Sequence, residues 1–192
     1  MFHLRLNGSG QNGGIEKLAP HDTIDITPLG VIMNVTPKGV ILKWEVCMVP
    51  SQATLPEIRK TIVLNAPIEK VWKAVATSEG IAGWWMENTF QPILGHEFVL
   101  HTGHFGDSPC KVTELDPPHR LGFDWDEDWH ITFELKDLGE GKTEFTLIHS
   151  GWNPEKITRF GQPHPIVRGI MDGGWEKIVK EDLPAYIEKL GA

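Results

Sequence analysis

His149 is the residue of this 192-residue chain best placed to do chemistry. It falls in phase with Phe145 and Leu147 in the alternating run TEFTLIH, so all three side chains share one apolar face. An inward histidine beside Ser150 and Trp152 could bind or protonate a ligand carbonyl, because imidazole titrates near neutral pH. It could also be a structural histidine bonded to a loop backbone. Glu87, just past Trp84-Trp85, could stand as a second polar group at the mouth of a site.

Other groupings are weaker. His101, His104 and Cys110, with Asp107 between them, have the side chains zinc prefers, but no C-x-x-C pair anchors them. Histidines on a flexible surface loop account for the pattern, and no metal is expected. Cys110 could act as a nucleophile with a histidine partner; a small buried cysteine fits as well. Asp124, Asp126, Glu127 and Asp128 crowd one turn without the oxygen cage of a calcium loop, so a solvated acidic hairpin is expected. Residues 8–13 spell G-x-G-x-x-G, yet no strand precedes them and no strong helix follows. They read as a flexible tail. No G-x-S-x-G elbow, Walker loop or H-E-x-x-H occurs.

The elements that must carry His149 are legible from residue 55 onward. EIRKTIVL (57–64) alternates as a strand, with Ile58, Lys60, Ile62 and Leu64 on one face. Pro67 suits a first helical position, capped by Asn65 or Ala66, and Ile68, Val71, Trp72 and Val75 form a helical stripe. Thr77-Ser78-Glu79 opens a short second helix toward Trp84-Trp85. Five strands are then expected over 97–102, 109–115, 120–125, 129–138 and 143–149, separated by turns rich in Gly, Pro and Asp. Their apolar faces carry Phe98 with Leu100; Leu121, Phe123 and Trp125; Trp129, Ile131, Phe133 and Leu135; and Phe145, Leu147 and His149. The opposite faces carry Gly122, Asp124, His130, Thr132, Glu134, Glu144 and Thr146, which can meet water. A long amphipathic helix over 165–190 closes the chain. Its expected stripe is Val167, Ile170, Met171, Gly174, Trp175, Ile178, Val179 and Leu183. Gly173-Gly174 suggests a close backbone approach or a bend, and Pro184 should kink or restart the helix. One antiparallel sheet covered by one long helix is an α+β solution.

Composition excludes several classes. A net charge of −8 opposes nucleic-acid binding, which needs a basic face. Two cysteines, Cys47 and Cys110, imply no disulfide framework and fit a reducing compartment. No apolar signal segment or membrane-spanning run is visible, so a cytoplasmic location is expected. Residues 1–50 read as a poorly defined extension before a domain over 51–192. The codons open to Trp44, Glu45 and Val46 can spell a ribosome-binding sequence before Met48. Two readings therefore stay open: a loosely attached tail, or a native start at Met48.

Five segments together carry a resemblance. They are APIEKVW (66–72), Trp84-Trp85, ELDPPHRL (114–121), TFEL (132–135) with TEFTLIHSGW (143–152), and Gly174-Trp175-Glu176. In order and spacing they resemble the START-like (SRPBCC) superfamily, in the branch named after the C-terminal domain of the activator of the heat-shock-protein-90 ATPase. The resemblance covers roughly 55–190. It implies a helix-grip fold: a curved antiparallel sheet wrapped around a long C-terminal helix, with two short helices after the first strand. It commonly implies an apolar ligand cavity as well. Members bind lipids or small metabolites, act as cyclases, or regulate chaperones, some in stress responses. The eukaryotic activators carry a larger N-terminal domain that the segment before residue 51 does not resemble.

The expected cavity lining is Trp85, Phe98, Leu100, Phe123, Trp125, Ile131, Phe133, Phe145, Leu147, His149, Trp152, Met171 and Trp175, with residues 153–164 as a lid. The first expectation is non-catalytic binding of a hydrophobic or aromatic small molecule, without a cofactor, by a monomer or homodimer. A cyclase- or hydrolase-like enzyme using His149 is the first alternative. A chaperone-directed interaction module is the second.

Overall fold

A computed structural model of the protein describes residues 54–103 and 106–190. The Gly-rich segment, the Met48 start and His104 lie outside the described residues.

Six strands form one curved antiparallel sheet: β1 (Ile58–Leu64), β2 (Glu97–His101), β3 (Asp107–Asp116), β4 (Arg120–Trp125), β5 (Trp129–Gly139) and β6 (Lys142–Ser150). Their order is β1-β6-β5-β4-β3-β2. Helices α1 (Ile68–Val75) and α2 (Ser78–Trp84) carry the chain from β1 to β2 at the opposite edge. This is the helix-grip arrangement, completed by a C-terminal helix of three consecutive parts. They are α3 (His164–Lys177), a π-helical turn (Ile178–Asp182) and α4 (Leu183–Lys189).

Local chemistry explains the boundaries. Thr77 accepts a hydrogen bond from the Gly80 N–H at 3.0 Å and so caps α2. Pro67 is extended (φ −63°, ψ 152°) and is the N-cap of α1, one place earlier than its fixed φ suggested. Its carbonyl accepts from the Lys70 and Val71 N–H groups. The π turn ends at Asp182, two residues before Pro184, which lacks an N–H for the helical ladder. With one residue more per bond than an α turn, it keeps Trp175, Val179, Leu183 and Ile187 buried on one side.

The core lies between the concave sheet face and these helices. Phe98, Phe123, Phe133 and Phe145 form a ring-on-ring chain across the strands, edge-to-face at the first two contacts and tilted at the third, with centroids 5.4 to 5.8 Å apart. Lys60, in phase with Ile58 and Ile62, reaches Asp172 at 3.1 Å and Glu176 at 2.9 Å and ties α3 to the edge strand. Tyr186 of α4 packs on α2 at Gly83, where a Cβ would stand 2.0 Å from its ring.

Three expectations need correction. Gly122, Thr132 and Thr146 are buried although they face outward. They sit mid-sheet, under side chains such as Glu114, Arg120 and Glu134, which pair above them. Ile170 is 69% exposed, about 100° round α3 from the more buried Met171. No atom lies within 4 Å of a Cβ built on Gly173 or Gly174, so no close approach explains them.

Candidate functional site

Strand alternation in β6 buries His149 completely. Its Nδ1 accepts a hydrogen bond from Trp175 Nε1 at 3.0 Å. Its carbonyl accepts from Trp152 Nε1 at 2.9 Å. Trp125 stacks on the imidazole with centroids 5.5 Å apart, Trp129 meets it edge-on at 5.8 Å and Trp152 lies at 4.4 Å. An accepting Nδ1 assigns the proton of the neutral ring to Nε2. Burial, with a smaller push from the Arg168 charge, lowers its pKa from 6.5 to about 3. His149 is therefore a neutral ring near pH 7.

One polar feature of this cluster is unusual. His149 Nε2, Trp125 Nε1 and Trp129 Nε1 are all buried without a hydrogen-bond partner. A buried donor left unpaired costs about 1–3 kcal/mol.

One open space lies beside this cluster. A cavity of about 190 Å³ is bounded by Trp125 and Trp129 from the sheet, Phe160 from the segment after β6, and Val167, Ile170 and Met171 from α3. Thr102, Ser108, Thr158 and Gln162 complete its lining, which contains no ionisable side chain. Trp125 and Met171 are the expected lining residues that border it. Phe98, Leu100, Phe123, Ile131, Phe133, Phe145, Leu147, His149, Trp152 and Trp175 are instead packed in the core around it. Trp85 is partly buried and bridges the two regions through Phe123 (6.4 Å), Trp125 (5.5 Å) and Trp175 (4.8 Å). Glu87 is exposed, and its carbonyl accepts from the His101 N–H. Trp129 could have been found, since it shares the face of Ile131; Phe160 lies in the expected lid.

The segment between β6 and α3 is fastened to the acidic turn. Lys156 contacts Asp128 at 2.5 Å, and Arg159 contacts Asp126 at 3.1 Å. His164 Nε2 lies 3.3 Å from the second oxygen of Asp128. Burial raises the Asp126 pKa despite Arg159. At Asp128 the cost of burial is outweighed by Lys156 and His164, and its pKa is lowered. The acidic turn is thus an anchor for the segment that borders the cavity. Near the same end, His101 Nδ1 pairs with Asp107 at 2.8 Å. Cys110 is buried, and desolvation pushes its thiol pKa up, the wrong direction for a thiolate nucleophile.

Residues 65–188 match the family model described as activator of Hsp90 ATPase homolog 1-like protein. The chain belongs to this family. Protein BH1534 of Bacillus halodurans, solved in solution, is similar at 44% identity and a TM-score of 0.64, covering 70% of this chain and 98% of that one. CalU16 from Micromonospora echinospora shares the fold at 21% identity and a TM-score of 0.55, over 70% of this chain and 80% of that one. The Aha1 dimer from Colwellia psychrerythraea shares it at 21% identity and a TM-score of 0.52, over 65% and 91%. No curated protein matches the chain. Among the described residues, no helix is long and apolar enough to cross a membrane.

Proposed function

We propose that the protein binds a hydrophobic or aromatic small molecule, without transforming it, between the sheet, the segment after β6 and α3. The carrying observation is the apolar cavity of about 190 Å³ with no ionisable side chain in its lining. A known dry cavity of about 150 Å³ takes benzene, so the space suits one ring or a branched aliphatic group. Binding there draws on apolar burial, because the lining presents almost only apolar surface.

The environment of His149 weighs against the cyclase-like alternative. Its Nδ1 is occupied, its pKa is lowered to about 3, and it does not border the cavity. A chaperone-directed role draws its support from the family description.

The test is a thermal-shift screen of the full chain against apolar and aromatic metabolites. A ligand that binds only the folded state adds about 2.7 kcal/mol at a hundredfold excess over its Kd. A saturable shift that disappears in Val167→Phe, which fills the cavity, supports the reading. A folded protein with no shift across the panel contradicts it and turns attention to chaperone pull-down.

A further inference from the structure

Trp125 and Trp129 border the cavity, and His149 touches both rings. The three aromatic rings are in mutual contact, with Trp125 and Trp129 centroids 5.6 Å apart. Each carries a buried ring nitrogen with no partner. At His149 that nitrogen bears the proton, because Nδ1 is taken by the Trp175 N–H. Three N–H donors therefore sit together with no acceptor. Edge-to-face contacts offer them ring faces, which are weak acceptors and do not replace an oxygen.

We propose that the cavity takes a one-ring aromatic ligand bearing a neutral acceptor oxygen, such as an aryl ketone, which pairs with the indole N–H of Trp125 or Trp129. The proposal rests on the binding reading above and narrows its chemistry. The oxygen is neutral because no lysine or arginine lines the cavity to balance a carboxylate. A cationic ligand fits no better, since no aspartate or glutamate lines it either. The ring fits the volume of about 190 Å³. Both indole nitrogens are covered while their rings border the cavity, so pairing requires an indole to turn its N–H edge toward the ligand.

Acetophenone and ethylbenzene have closely similar shapes and differ in the acceptor. Binding of each to the full chain is measured by NMR titration, with the indole N–H signals of Trp125 and Trp129 assigned through their Trp→Phe variants. Acetophenone should bind about tenfold tighter than ethylbenzene, the ratio that one well-made hydrogen bond supports. At least one of the two indole protons should move downfield with acetophenone and stay in place with ethylbenzene. Trp125→Phe or Trp129→Phe, which keeps an aromatic ring and removes the donor, should cut the ratio to below about twofold. Equal binding of the two probes, with no indole shift, overturns the proposal and leaves the binding reading standing. Binding of neither probe also overturns the proposal, and the binding reading then stands or falls on the thermal-shift panel. The indole shifts are read on the wild-type protein, so an unfolded variant does not rescue the proposal.

Discussion

Acid should destabilise this protein through His149. The imidazole is neutral and buried in the fold, with its pKa lowered from 6.5 to about 3. In the unfolded chain it takes up a proton below about pH 6.5, while the folded protein resists protonation until about pH 3. Acid thus favours the unfolded state. The stability present above pH 6.5 falls by about 1.4 kcal/mol for each pH unit below it, and the loss continues toward pH 3. At pH 4.5 the loss reaches about 2.7 kcal/mol, a large share of a typical 5–15 kcal/mol. The assay is urea unfolding followed by tryptophan fluorescence at pH 7.0, 5.5 and 4.5, on wild type and His149→Gln. All other titrating groups are common to both proteins, so the difference in slope isolates His149. The variant should be less stable at pH 7, with a visibly flatter pH dependence. Equal slopes would refute the reasoning, as would a His149 ring that titrates near pH 6 by NMR in the folded wild type.

Gly173→Ala should raise stability by about 0.5–1 kcal/mol by chemical denaturation, because a methyl there meets nothing within 4 Å and alanine is the better helix former. Gly151→Ala should cost at least about 2 kcal/mol in the same assay, since its φ is +91° and its Cβ would stand 2.0 Å from the Asp128 carbonyl oxygen. Asp128→Asn removes the carboxylate that faces Lys156 and His164. It should speed tryptic cleavage after Lys156 and Arg159, read by mass spectrometry, and high salt should do the same to wild type.

The strands were legible because one sheet face is apolar, so period-two alternation marks them directly; β4 keeps its expected bounds over Arg120–Trp125. The C-terminal helix was legible from its apolar stripe, and Pro184 signalled its interruption. That the interruption is a π turn depends on register with the sheet, which no local pattern records. The same limit applies to the cavity. Phe133 and Trp125 share the alternation of one face, yet one is solid core and the other borders open space. Periodicity tells which way a side chain points and not what it meets. The acidic turn likewise read as solvated, because its partners Lys156, Arg159 and His164 come from some thirty residues further along the chain.

The claim that the cavity between sheet and α3 receives a small apolar molecule is tested most directly by methyl NMR. Val167, Ile170 and Met171 carry reporter methyl groups in its lining. Titration with a library of single-ring aromatics should shift these three saturably, while core methyls such as Leu121 and Leu183 move far less. A folded protein in which no compound moves them, or in which saturable shifts arise only elsewhere, would contradict the account.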